Sequence, residues 1–412
     1  MNASRSSFGK TDSKERRGNM DSRMGKVMVV LAASMLVACF FVGSAFAENA
    51  VVVQEYSGPF DNPEGSVVLD NQIVFVSNAA AVDGAFPAGS GYITKLTIGS
   101  GGQLATHTAE FVTGLTRPWG MAVLPVDVGE ILAGTVFVGV AGLPPVNESH
   151  IVAFNPETPE TIVGAIPAGL GSDFDTISGG PVLAINALAF DQAGNLYFTD
   201  TALGYGDCIP IRQGVWKVEA SSLEGLLAGG TDSTGISFCY IAGAPDGIEV
   251  SPSNELYVNT VGLAPAAGFG LSPLYDPFVG AIYRLTDDDF APPLEAGGEP
   301  FGFVRSSPLL SGLGALDGLV FTPGGTMLCT EIGSTNDILS IKPGILQAAH
   351  QSADAREGVI FLGVPDLNGP ADISVAKIGR KTFVIIPEHT SFGPPTDPED
   401  DQVTVIRLIG AP

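Results

Sequence analysis

From residue 185 the chain reads INALAFDQAGNLYFTD: one amide, a short apolar run, a polar turn containing Gly and Asn, and a second apolar run. Two such runs joined by a tight turn predict a β-hairpin. The pattern returns in DGIEVSPSNELYVNTVG from Asp246, DGLVFTPGGTMLCTEIG from Asp317 and ADISVAKIGRKTFVIIPEH from Ala371. Looser copies are EGSVVLDNQIVFVSNA from Glu64 and WGMAVLPVDVGEILAGTVFVGVAG from Trp119. After each hairpin come a variable loop and a third run: YITKLTI, HIVAFN, GVWKVEA, AIYRLTD, DILSIKP and VTVIRLI. A fourth often follows, as in AEFVTGL, ISFCYIAG, FGFVRS and VIFLGV.

Four antiparallel strands repeated six times predict an all-β, six-bladed β-propeller, with blades starting near 64, 119, 186, 246, 317 and 371. The last unit ends without a fourth strand, and VVVQEYS (51–57) precedes the first copy. That segment is expected to join the last blade and close the ring, which removes an exposed edge. A pair of open sandwiched sheets would not explain why the same short hairpin recurs with a long loop after it. Residues 48–412 then form one propeller domain, at about 61 residues per blade.

Residues 1–47 break the pattern. Arg16, Arg17, Arg23 and Lys26 precede the apolar VMVVLAASMLVACFFVGSAFA, which ends in Ala45-Phe46-Ala47. This is the layout of a signal peptide cleaved near Ala47, and it predicts a secreted or periplasmic protein. Two alternatives stay open: a lipoprotein attached at Cys39 of LVAC, and an uncleaved anchor. No second apolar segment of that length follows.

The chain is 45% hydrophobic and 15% charged, enough apolar material for a large core, and 53 Gly with 30 Pro agree with many turns. Its net charge is −25; without residues 1–47 it has 12 basic against 41 acidic residues, or −29. Such a surface repels nucleic acid and anionic lipid, and it suits cation binding, a salty medium or simply the solubility of an exported protein. A small-molecule substrate is expected only from the family resemblance given below. Cys208 and Cys239 flank one unit and form a candidate disulfide after export.

In a propeller the first strand of every blade lines the central channel, so residues just before it meet at one rim. Reading that position gives Glu64, Trp119, Asn186, Asp246, Asp317 and Asp372. Carboxylate and amide oxygens converging in this way suit a hard divalent cation, calcium above all. Any one of these residues alone would read as an ordinary turn former. Loops after the second strands should rise on the same rim and bring Asp200, Asn259, Glu331 and His389 toward a substrate, with Trp119 and Asp372 of the rim as further substrate contacts. His389 is the best placed of the four His for proton transfer.

These motifs resemble the senescence marker protein/gluconolactonase family, also called regucalcin-like. The resemblance spans nearly all of residues 48–412 and rests on PEGSVV, INALAF, APDGIEV and ALDGLVF. It implies a divalent metal held by Glu64, Asn186, Asp246 and Asp317, with Asp317 as the base that assists water in opening a lactone or related ester. Asp246 stands where that family usually has Asn, which adds a carboxylate and makes a bound metal less electrophilic. The competing reading is a non-catalytic, NHL-like propeller that binds a partner on the same rim around a structural metal. A lyase of the streptogramin-inactivating type is a third, but it needs a His and metal constellation that four His do not assemble.

Overall fold

The computed structural model describes residues 49–80, 86–142, 149–169, 171–178, 182–201, 213–231, 233–241, 243–262, 280–290, 308–332, 335–349, 359–365, 367–389 and 401–409. Within the compact unit Glu48–Pro412 the described strands form six antiparallel sheets of four strands each. They make a six-bladed β-propeller, as the repeats imply. The innermost strands are Pro63–Leu69, Pro118–Val123, Ile185–Phe190, Pro245–Val250, Ala315–Phe321 and Ser374–Ile378. Asn49–Tyr56 pairs with Gln402–Ile409, from Asn49↔Ile409 to Tyr56↔Val403 with one register shift between Val52 and Gln54, and supplies the outer strand of blade six. The two ends of the chain thus share one sheet. The run 301–306, expected as the fourth strand of blade four, lies outside the described residues; the fourth strand there is Leu310–Ser311.

Both faces of each sheet are buried against neighbouring blades, which explains why the strands read as continuous apolar runs rather than alternating ones. In Val136–Val140 every residue is buried. Val136, Val138 and Val140 face the first seam with Phe75, Ile93 and Phe154, while Phe137 turns to the next with Phe190, Phe198 and Trp216. Each of the six seams carries its own cluster; the last joins Val74, Val76 and Leu96 of blade one to Phe383, Ile385 and Val403 of blade six. Cys239 is buried in the seam between blades three and four, and Cys208 lies outside the described residues.

The pairing of the first two strands slips once in blades one to five, at Pro63/Ser66, Pro118/Met121, Ile185/Leu188, Pro245/Ile248 and Leu316/Leu319. Each slip is a β-bulge that sets two residues against one and turns the first of them out of the ladder. The bulged pairs are Glu64-Gly65, Trp119-Gly120, Asn186-Ala187, Asp246-Gly247 and Asp317-Gly318.

In four blades the residue opposite the bulge fastens it from both sides. Ser77 Oγ accepts the Gly65 N–H at 2.8 Å and donates to Trp119 O of the next blade at 2.6 Å. Thr199 Oγ1 accepts from Ala187 N at 3.0 Å and donates to Asp246 O at 2.7 Å. Asn259 accepts from Gly247 N at 2.8 Å and donates to Gly318 O at 3.1 Å. Thr330 accepts from Gly318 N at 2.8 Å and donates to Ala371 O. Blade two has Gly139 at this place, and Ile185 of the next strand presses where its Cβ would be. The sixth seam is joined differently: Asp372 N–H donates to Glu64 O at 3.2 Å, and Asp372 Oδ2 accepts from Ser66 N at 3.0 Å.

Thr199→Val keeps the shape of the side chain and strands a buried N–H on one side and a buried carbonyl on the other. The expected loss is about 1–3 kcal/mol for each stranded group, read as a lower urea midpoint with unchanged slope.

Candidate metal centre

The bulges and the close meeting of the inner strands put Glu64, Asn186, Asp246, Asp317 and Asp372 around one cavity at the mouth of the channel, with the backbones of Gly65, Gly120, Ala187, Gly247 and Gly318 between them. The approach is close enough to require glycine. A Cβ on Gly120 would stand 2.3 Å from Asn186 O, and one on Gly247 2.4 Å from Asp317 O. The free space is about 10 Å³ for the centre of a water-sized sphere, room for about one water or one ion.

Blade two gives this cavity only the backbone of Gly120. The Trp119 side chain, which sequence position places with the other rim residues, packs instead with Ala79, Ala141 and Ala184. The bulge turns its neighbour toward the channel and leaves the indole in the apolar seam.

The acidic groups lie too close together, and too deep, all to ionise. Burial, then Asp317, Glu64 and Asp372, push Asp246 well above the usual carboxylate range. Burial, Glu64 and Asp372 do the same to Asp317. The two carboxyls are hydrogen-bonded to each other and share a proton. Asp246 Oδ1 is buried with no hydrogen-bond partner. Asp372 is pushed up to about 7 by burial and by Glu64, against the opposing N–H groups of Ser66 and Ile373. Glu249, which the sequence reading passed over, also rises to about 7 through burial, with Asp372 adding to the effect.

His389 stands on the blade-six side of this cluster, its Nε2 2.7 Å from Glu64 Oε2, with side chains 11% and 8% exposed. Burial opposes charge on the imidazole, but Glu64, Asp317 and Asp401 outweigh it and raise its pKa. The structure thus brings His389 to the predicted ligands themselves.

The other rim residues do different work. Asp200 accepts the N–H groups of Leu183 and Ala184 at 3.3 and 3.0 Å, and Glu331 accepts the Thr335 N–H at 2.7 Å, so both brace the chain at the end of a second strand. Asn259 is fully buried in the seam between blades four and five, where it fastens the bulge described above. The recurring Gly after the rim residue was visible in the sequence as EG, WG, DG and DG. Its purpose, the close passage of neighbouring backbones, was not.

Does this set fit a divalent cation? Among the described residues no three His, Cys, Asp or Glu side chains stand together as a ready-made cage. His389 holds Glu64, and a proton joins Asp246 to Asp317. The chemistry of the set nonetheless fits a hard cation: oxygen donors only, an ion-sized space, and the partnerless Asp246 Oδ1 beside crowded carboxylates. Glu64, Asn186, Asp246 and Asp317 are the residues that would hold it.

No family model and no curated protein matches the chain. Solved structures share its fold. A gluconolactonase of Xanthomonas campestris is 11% identical, with a TM-score of 0.50 over 89% of this chain and 93% of that one. The PQQ-bound aldose sugar dehydrogenase of Streptomyces coelicolor is 12% identical, with a TM-score of 0.52 over 88% of this chain and 98% of that one. The chain therefore shares its six-bladed propeller fold with a gluconolactonase and with a dehydrogenase. No helix among the described residues is long and apolar enough to cross a membrane.

For Asp372 and Glu249 the folded pKa lies above the unfolded one, so their contribution to stability is full below about pH 4 and is lost as the pH rises through about 7. In chelator, the melting temperature should fall across that interval. Asp372→Asn should make the fall shallower in thermal scans followed by circular dichroism; an unchanged profile would refute the assignment.

Proposed function

We propose that the protein is a secreted or periplasmic metal-dependent hydrolase, acting on a lactone or related ester, with calcium as the cation its oxygen-only donor set favours. One observation carries the reading: oxygen donors from five blades converge on a single ion-sized cavity at the end of the channel. A cation held there would supply Lewis acidity toward a carbonyl oxygen.

The chain's own residues account for the proton and the substrate. Asp317 is hydrogen-bonded within the cluster, and burial and its acidic neighbours raise its pKa, the direction that strengthens a carboxylate as a base toward an attacking water. Asp246 Oδ1 faces no competing donor and is the oxygen most readily offered to a ligand. Asp200 and Glu331, bound to backbone N–H groups, hold the starts of the loops that would surround a substrate. His389, at Glu64, is the candidate for passing the proton onward.

A second reading, a non-catalytic propeller with a structural metal, draws support from the size of the cavity. It admits about one water, so any substrate must sit above it. Calorimetry with calcium and a lactone panel distinguish the two. Under the hydrolase reading Asp317→Asn lowers turnover by about 10²–10⁴-fold and weakens calcium binding. Calcium binding by the wild type with no turnover on any lactone or ester would establish the binding propeller instead.

A further inference from the structure

The resident partner of Glu64 is a side chain. His389 follows the second strand of blade six, Lys381–Glu388, and its backbone N–H is tied to Gly369 O at 3.2 Å. Its imidazole crosses the seam to blade one and places Nε2 on Glu64 Oε2 at 2.7 Å, with both side chains nearly buried. The charged groups acting on it are all acidic: Glu64, Asp317 and Asp401.

A carboxylate that accepts a buried N–H at this distance is held in the orientation its histidine sets and gives up one lone pair to it, so a cation entering the cavity competes with that bond. Separating a buried pair is unfavourable, because each partner loses its compensation in a site that water hardly reaches. That free energy is subtracted from whatever a cation gains on entering. In the cation-free protein the same bond offsets the mutual repulsion of Glu64, Asp317 and Asp372.

We propose that His389 is the resident hydrogen-bond partner of Glu64, with which an entering divalent cation competes, so that this residue sets the cation affinity of the centre. The proposal rests on the reading that the cavity takes a metal. It assigns His389 a positioning role toward Glu64, separate from any part in proton transfer.

The test is calcium titration calorimetry on the full-length protein, for the wild type, His389→Leu and His389→Lys, with thermal melts in chelator and in calcium. His389→Leu keeps the bulk and removes the N–H. It should bind calcium at least about tenfold more tightly, melt lower than the wild type in chelator, and gain more from calcium, since a ligand stabilises by its affinity for the folded state. His389→Lys restores a cationic donor and should return the affinity toward the wild-type value. A merely structural histidine would lower stability in both conditions and weaken binding. If the Leu variant does not fold, His389→Ala serves for the same comparison.

Calcium bound by the wild type with equal or greater affinity than by the Leu and Ala variants overturns the role of His389 and leaves the metal reading intact. Folded wild type and variants that all fail to bind calcium overturn both. Binding by the Leu variant alone supports this competition in its strongest form.

Discussion

Everything at the mouth of the channel depends on how closely the innermost strands approach one another. A glycine follows the rim residue in blades one, two, four and five, and a Cβ there would come within 2.3–2.7 Å of the next blade's backbone, well inside van der Waals contact. Backbones this close need their polar groups satisfied across the gap, and Ser77, Thr199, Asn259 and Thr330 do so by accepting from their own blade and donating to the next. The bulge makes both possible, because it frees the glycine N–H from the regular ladder and aims the preceding side chain at the axis. Tight seams and converging side chains therefore have one cause.

That convergence creates an electrostatic problem which the protein resolves internally. Carboxyl groups from blades one, four, five and six meet in a space of about one water. A shared proton relieves Asp246 and Asp317, backbone N–H groups receive Asp372, and His389 receives Glu64. Crowded, partly protonated carboxylates are a common mark of a binding or catalytic site, since structure alone gives no reason to bury them together. The same crowding makes the centre receptive to a cation and supplies the groups with which a cation competes.

The propeller itself does not choose the reaction. A gluconolactonase and a quinone-bound sugar dehydrogenase share the fold with this chain at 11% and 12% identity. What supports hydrolysis is local: oxygen donors from the described residues that line the cavity, and a carboxyl, Asp317, whose pKa is raised by burial and by its acidic neighbours.

The sequence by itself determined the six hairpins, their order and the position that faces the axis. These follow from short-range patterns: apolar runs, turn residues, and a polar residue at the same place in every repeat but the second. It also placed the closing strand, expected at 51–57 and found at Asn49–Tyr56, because an unfinished last blade and an unassigned first segment leave one pairing. What only the tertiary structure decided is which side chains meet across seams. Trp119 has the position of a rim residue but is drawn into the pocket of Ala79, Ala141 and Ala184. Asn259 sits where a substrate loop begins but is consumed by Gly247 and Gly318. His389 and Glu64, near opposite ends of the propeller sequence, become an ion pair only when blade six closes on blade one. The physical reason is the same in each case: local sequence sets the direction of a strand, whereas the partner of a buried polar group depends on which neighbour ring closure brings within hydrogen-bonding distance.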